Sequence, residues 1–278
     1  MVTATVLALS SATLHAAWNV LLKTATDEAR DLALWGLFLA AAVVALPVLV
    51  IVGLPSAAAV PWLALSMLVH VGYASALVGA YRAGDLSLTY PLARGAGALF
   101  AALGGVLLLG DRLPALAWLA IVVVVAGLLG LVGRRSSPRA VTLALVTAVA
   151  IGAYTVIDAR GARATDGASY GLSVMPVIAL GVSVLYVARG RTGALVAAAP
   201  GAWARWLIGG ACSTAAYTMV LIAVESAPVG YVTMLRESSV VLGALAGWLL
   251  LRERLGRRRL AASSIILAGL VLLIAGTI

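Results

Sequence analysis

The chain has 278 residues, of which 63% are hydrophobic and 10% are charged, and its mean hydropathy is +1.12. Water-soluble domains carry about a quarter charged residues, so this composition excludes a soluble globular protein and indicates an integral membrane protein. The net charge of +9 does not indicate nucleic-acid binding, because the charges lie at the ends of apolar runs, where they face lipid headgroups.

Ten apolar runs follow one another along the chain, and each is long enough to cross a bilayer as a helix. They lack the two-residue polar alternation of membrane strands, so we predict an all-α integral membrane protein. The first run has no charged leader, and we expect it to be retained as a helix. The predicted spans are residues 2–22, 32–52, 61–81, 86–109, 114–132, 140–157, 170–187, 206–224, 229–251 and 260–277.

The sequence repeats itself when it is slid along its own length. The turn GDRL at 110–113 falls on RERL at 252–255, and Arg94 falls on Arg236. Each half holds five predicted helices, and because five is odd, the second half enters the membrane in the opposite sense. We therefore predict two inverted five-helix repeats, 1–138 and 139–278, joined at the basic segment 133–139. Such repeats are typical of secondary transporters.

The doubled turn, each time followed by a closing helix, also carries a family resemblance. Together with the passage 216–273, it resembles the EamA-type branch of the drug/metabolite transporter superfamily. The resemblance implies a ten-helix transporter in which the fourth and ninth helices line a central cavity. The chain departs from the family where a glycine early in the closing helix is replaced by Ala120 or Ala261. The family transports varied solutes, so the resemblance leaves the substrate open.

Two arginines lie inside predicted spans at matching repeat positions, Arg94 and Arg236. A charge at mid-bilayer costs about 2.5–3.5 kcal/mol, so each side chain should face protein or water. They could bind a carboxylate or phosphonate in a cavity, or tie helices together through carbonyls or a buried acid such as Glu237. Facing one cavity, they carry +2 unless Glu237 also turns inward. This charge predicts a substrate with an acidic group.

A polar stripe runs along the first helix and recurs in the sixth, with His15 and Asn19 matching Tyr154 and Asp158. Such a stripe should point inward, either into a cavity or into a hydrogen-bonded seam between helices. His15 and His70 could carry protons, or could be structural groups. Tyr90 and Tyr217 could stack on a ligand. The predicted substrate-binding residues are Arg94, Arg236, His15, Trp18, Asn19, Tyr90, Tyr154, Asp158, Tyr217 and Glu237.

No catalytic motif or phosphate-binding loop is present in the sequence, and Cys212 is the single cysteine. We therefore predict a protein that is not an enzyme and has no cofactor or metal. We favour an exporter of a small acid-bearing metabolite that works by alternating access. The alternatives are a membrane enzyme acting on a lipid or isoprenoid, a multidrug or cation exporter, and a membrane scaffold. A homo-oligomer is compatible with the sequence.

The lysines and arginines indicate an orientation in the membrane. They concentrate in the odd-numbered connections between spans, whereas the even-numbered connections hold Arg112, Arg160 and Arg163. Positive charge accumulates on the cytoplasmic side. The sequence therefore predicts a multi-pass protein of the inner membrane with both termini outside.

Overall fold

The computed structural model describes residues 1–23, 30–83, 86–131, 137–249 and 256–276. Throughout these ranges the regular elements are helices and no strand occurs, as the sequence predicted. A single 3₁₀ turn, Ala57–Ala59, precedes α3. The α-helices are α1 (Val2–Lys23), α2 (Arg30–Val52), α3 (Val60–Ala83), α4 (Leu86–Leu109), α5 (Ala115–Gly130), α6 (Pro138–Ala164), α7 (Gly167–Ala188), α8 (Thr192–Ser226), α9 (Val229–Arg236), α10 (Ser238–Leu249) and α11 (Arg257–Ala275).

Six segments of the described chain are long and apolar enough to cross a membrane. They coincide with the second, third, fourth, sixth, seventh and eighth predicted spans. Two shorter apolar helices, Ala115–Gly130 and Leu260–Ala275, fall at the fifth and tenth predicted spans. The six segments are Leu32–Val52, Ala57–Ala80, Pro91–Leu109, Pro138–Ala164, Gly167–Ala188 and Thr192–Ser226.

The predicted ninth span, 229–251, is not one continuous helix. It breaks at Glu237 into α9 and α10. The Glu237 N–H donates to the carbonyl of Met234, and the Val240 N–H donates to the carbonyl of Glu237, both at 3.0 Å. Bonds of this three-residue spacing tighten the backbone into a 3₁₀-like turn. The break places Arg236 and Glu237 at the junction of two helices.

The eighth helix is longer than the predicted span 206–224. It begins at Thr192 and continues through Pro200. The added segment is rich in alanine, the residue with the highest helix propensity, so the helix extends beyond its most apolar part. The apolar window used for the sequence prediction therefore missed the first turns of α8.

The helices of the two halves pack in matching pairs. α1 contacts α8 and the α9 and α10 pair, while α6 contacts α3 and α4. Likewise, α2 contacts α8 and α7 contacts α3. Two further contacts join the halves, one between α2 and α7 and one between α5 and α11. Small residues allow the close approach of α4 and α6. A Cβ atom placed on Gly152 would lie 2.5 Å from the Cβ of Phe100, a contact that only glycine permits.

At one end of the bundle, side chains form hydrogen bonds with backbone groups at the ends of helices. The Ser137 hydroxyl accepts from the Ala140 N–H at 3.1 Å and donates to the carbonyl of Ala83 at 3.0 Å, which joins α6 to the end of α3. Arg258 donates through Nε to the carbonyl of Gly130 at 2.8 Å, which joins α11 to α5. The basic end of the bundle therefore brings together helix ends from both halves.

The other end is held by the turn that carries the doubled motif. Gly110 has a φ of +74°, which favours glycine and starts the turn. Asp111 then accepts from Arg163 Nη1 at 2.7 Å and from the Val229 N–H at 2.6 Å. Arg163 also donates through Nε to the carbonyl of Val224 at 2.7 Å. The acidic residue of the motif thus anchors the start of α9, where a negative charge complements the helix dipole.

The connection between α6 and α7 is capped by a carboxylate. Asp166 accepts from the backbone N–H of Ser169 at 2.7 Å. This hydrogen bond lowers the pKa of Asp166 below its ordinary value, because it favours the charged form. Glu225 accepts from the Gly167 N–H at 2.9 Å. The start of α7 is therefore fixed by two acids.

Candidate functional site

An ion pair lies in the interior where α4 meets the junction of α9 and α10. Arg94 Nη2 donates to Glu237 Oε1 at 2.5 Å, and the two side chains are 10% and 3% exposed. Burying two charges is costly unless they pair closely, which accounts for the short contact. The arginine belongs to the first half of the chain and the glutamate to the second. The sequence allowed an arginine either to face a cavity or to join helices through Glu237, and Arg94 does the second.

Arg236, the residue next to Glu237, has its partner on a different helix, α1. Its Nη2 lies 3.2 Å from His15 Nδ1, and Trp18 donates through Nε1 to the same nitrogen at 3.2 Å. Guanidinium and indole groups only donate, so His15 Nδ1 is an acceptor and the ring carries its proton on Nε2. His15 is thus the neutral tautomer that holds Arg236 in place.

Asp158 is the centre of a second buried cluster, formed by α6, α7 and α8. The residue is fully buried. One carboxyl oxygen accepts from the Tyr170 hydroxyl at 3.1 Å, and the other accepts from the Tyr217 hydroxyl. Ser66 on α3 also lies near this carboxyl group. Hydrogen bonds from neutral donors satisfy a buried carboxyl group without a cation beside it.

Aromatic rings pack around this carboxyl group. His70 stacks on Tyr154 with a centroid distance of 4.1 Å and an interplanar angle of 27°. Tyr73 meets the same Tyr154 ring edge-on at 5.5 Å. His70 Nδ1 lies 3.1 Å from the Ser66 hydroxyl. His70, which was not among the predicted substrate-binding residues, therefore belongs to the same interior cluster as Tyr154 and Ser66.

Arg236 joins the two clusters. Its Cζ lies 5.8 Å from the centre of the Tyr217 ring, a cation–π distance, and the Tyr217 hydroxyl binds Asp158. We call the joined set the central polar network. Its residues are His15, Trp18, His70, Arg94, Tyr154, Asp158, Tyr217, Arg236 and Glu237.

The charge of the central polar network differs from the sequence expectation. Arg94 and Arg236 would give +2, but Glu237 turns inward and pairs with Arg94. Together these three groups carry a formal +1, and an ionised Asp158 would bring the network to neutrality. In place of the expected pair of uncompensated arginines, Arg236 alone forms no ion pair among the described residues.

Several polar atoms of the network have no hydrogen-bond partner among the described residues, and two of these atoms lie on adjacent residues. They are Arg236 Nε and Glu237 Oε2, and both are buried. Within the same part of the chain, Arg236 forms no ion pair. Buried polar groups are nearly always hydrogen-bonded, so these two atoms have hydrogen-bonding capacity that the described residues leave unused.

Other predicted residues are placed differently. The Asn19 amide donates to the carbonyl of His15 at 2.7 Å, a bond within α1. Ser11 donates to the carbonyl of Ala216 at 2.7 Å, so at this position the stripe is a seam between α1 and α8. The side chain of Tyr90 lies outside the described residues, and its expected place in the site stays a prediction.

The predicted substrate-binding residues did not include four residues that lie near Asp158 or its neighbour Tyr154: Ser66, His70, Tyr73 and Tyr170. Three of them recur on α3 with the spacing of one helix face, i, i+4 and i+7, which is a signal that could have found them. Tyr170 gave no such signal in the sequence, because only the turn after α6 brings it close to Asp158. Within the described residues, no group of three or more His, Cys, Asp or Glu side chains could hold a metal ion.

The profile of the EamA-like transporter family matches residues 138–275. This half of the chain belongs to the EamA-like transporter family. The family is part of the drug/metabolite transporter superfamily, and its members are transporters rather than enzymes. With the apolar helices described above, membership identifies a multi-pass membrane protein.

A structural comparison covers the whole chain. A solved crystal structure of a protein shares 15% sequence identity with it at a TM-score of 0.75, over 98% of this chain and 96% of that one. At this identity the likeness shows a common fold. Comparison with curated proteins finds no match.

Proposed function

We propose that the chain is a secondary transporter of ten membrane helices, arranged as two inverted repeats of five, 1–138 and 139–278. It moves a small organic metabolite with an acidic group across the inner membrane by alternating access, in the direction of export. The family match and the membrane helices support the transporter class. The solute class rests on the central polar network.

The packing of the helices supports the inverted repeat. If α1 to α5 correspond to α6, α7, α8, the α9 and α10 pair, and α11, then the most extensive contacts between the two halves have counterparts. The contact of α1 with α8 corresponds to that of α6 with α3, and α4 with α6 corresponds to the α9 and α10 pair with α1. Exchanged contacts of this kind are expected where two repeats are related by an axis in the membrane plane.

The solute class is carried by one observation, the open hydrogen-bonding capacity of Arg236. Its partly buried guanidinium lies between His15 and Tyr217, and its buried Nε has no partner among the described residues. Guanidinium groups recognise carboxylates and phosphonates through paired hydrogen bonds. The acidic group of the solute would take this place. A lipophilic cation would be repelled by the same charge in a low-dielectric interior.

The neighbouring Glu237 narrows the chemical class of the proposed solute. Its Oε1 accepts from Arg94, whereas Oε2 is buried and without a partner in the described part of the chain. An amine on the solute could donate to that oxygen while its carboxylate binds Arg236. An amino acid carries both groups, and it is therefore our first candidate among acid-bearing metabolites.

Flux into proteoliposomes tests this proposal. The purified protein would be given a panel of amino acids, organic acids, phosphonates and lipophilic cations, with an imposed proton gradient or with counter-solute inside. We expect saturable movement of an acid-bearing solute and no movement in protein-free vesicles. Movement of cations alone would contradict the solute class. Turnover of a lipid without any flux would favour the membrane-enzyme alternative.

A further inference from the structure

A polar pocket lies at the ends of α3 and α7, among residues that are not part of the central polar network. It has a volume of about 150 Å³ and is lined by Val78, Arg82, Tyr186, Arg189 and Arg191. A single buried water needs about 10–15 Å³ by the same measure, so the pocket accommodates a larger polar group. Three of its five lining residues are arginines, and no acid is among the described residues that line it.

The backbone between α7 and α8 fixes two of these arginines. Gly190 has a φ of +67°, and its N–H donates to the carbonyl of Val187 at 2.9 Å. The Arg191 N–H then donates to the carbonyl of Tyr186 at 3.0 Å. This is the hydrogen-bond pattern of a glycine-terminated helix. It reverses the chain tightly and leaves Arg189 and Arg191 on either side of the glycine.

Helix electrostatics explains only part of this arrangement. Arg82 lies in the last turn of α3 and Arg189 caps the end of α7, and cations are favourable at both places. Arg191, however, is the N-cap of α8, where the helix dipole opposes a positive charge. A bound anion could form charge-assisted hydrogen bonds with these guanidinium groups.

The surroundings of the pocket are those of a membrane surface. The Tyr186 ring is buried and stacks on Trp35 with a centroid distance of 5.1 Å, which fixes the pocket wall. On the same helix, Val184 and Val187 are 63% and 56% exposed, an apolar surface suited to lipid chains. A free anion would make no use of that surface. A lipid would place its headgroup in the pocket and its chains along α7.

We propose that this pocket binds the phosphate group of an anionic phospholipid. Basic pockets between membrane helices recognise such headgroups, and each arginine near the surface strengthens the attraction. The guanidinium groups of Arg189 and Arg191 bind the phosphate oxygens, with Arg82 on the third side. The site is separate from the solute site and is independent of the proposed transport activity.

Native mass spectrometry of the full-length protein tests the proposal. The protein would be titrated with phosphatidylglycerol and, separately, with phosphatidylcholine, which has no net charge. We expect selective retention of phosphatidylglycerol. Arg189→Gln and Arg191→Gln should each weaken it about fivefold. Arg205→Gln is the matched control, because Arg205 is an exposed arginine of α8 that does not line the pocket, and it should retain phosphatidylglycerol as the wild type does.

Two further measurements complete the test: binding by lysine variants and competition by free phosphate compounds. The charge-preserving variants Arg189→Lys and Arg191→Lys should retain most of the binding, and they serve as the test if the glutamine variants do not fold. Inorganic phosphate and glycerol phosphate at millimolar concentration should displace the lipid poorly. Equal retention by the pocket variants and Arg205→Gln would overturn the proposal. Displacement by free phosphate at the lipid's own concentration would overturn it in favour of a soluble anion.

Discussion

Arg94 on α4 and Glu237 at the junction of α9 and α10 form a buried ion pair, with Nη2 and Oε1 2.5 Å apart. The two residues are 143 positions apart in the chain and belong to different halves. The carboxylate of Glu237 neutralises the charge of one of the two intramembrane arginines. Arg236, which aligns with Arg94 in the sequence repeat, forms no ion pair within the described residues.

Removal of one partner should leave the other charge buried and alone. We expect Arg94→Gln and Glu237→Gln each to lower the free energy of unfolding by about 3–5 kcal/mol. The double variant should lose less than the sum, because both charges are then removed together. Denaturation in detergent micelles measures all three. Strict additivity would show that the two side chains do not interact.

Asp111 should contribute stability through its two acceptor bonds. Asp111→Asn leaves one acceptor oxygen for both Arg163 and the Val229 N–H, so we expect a loss of about 1–3 kcal/mol in the free energy of unfolding. Arg112→Gln is the adjacent control, because Arg112 is exposed, and its effect should stay within about 0.5 kcal/mol. Equal effects of the two substitutions would argue against the anchoring role of the motif.

Gly152 should be sensitive to a single added methyl group. Its Cβ would meet the Phe100 side chain at 2.5 Å and the Phe100 carbonyl carbon at 3.1 Å, so Gly152→Ala must push α6 away from α4. We expect a loss of about 1–3 kcal/mol in thermal unfolding. Gly243→Ala is the matched helical control, since nothing lies within 4 Å of its added methyl group. A wild-type transition temperature for Gly152→Ala would contradict this packing.

The orientation can be tested at the C-terminus. The positive-inside rule predicts that both termini lie outside the cytoplasm. A reporter enzyme that is active only in the periplasm should therefore be active when it is fused after Ile278. A cytoplasmic reporter at the same position is the control and should be inactive. The reverse pattern would show that the odd-numbered connections face outward.

The all-helical class was predictable from the sequence, because apolar runs of membrane-spanning length have few other solutions. The EamA-type resemblance was likewise confirmed by the family match over residues 138–275. The break at Glu237 was not predictable. It depends on a turn within an otherwise helical run, and the apolar pattern of 229–251 continues through it.

The site was predictable in its residue types but not in its pairings. Repeat symmetry indicated Arg94 and Arg236 together, yet the structure gives them different partners, Glu237 and His15. Sequence spacing could not show this, because the partners come from other helices. His70 was undervalued for the same reason, since its stacking on Tyr154 joins α3 to α6. Whether these residues bind solute stays a prediction.

Solute flux by an Arg236 variant tests the central claim most directly. The wild type, Arg236→Gln and the charge-preserving Arg236→Lys would be compared in proteoliposomes with the best acid-bearing solute of the panel. We expect Arg236→Gln to be inserted and folded but to bind that solute more weakly by about 1.5–3 kcal/mol, the scale of a charge-assisted hydrogen bond. Arg236→Lys should retain part of the affinity. Wild-type affinity and rate in a folded Arg236→Gln protein would contradict the account.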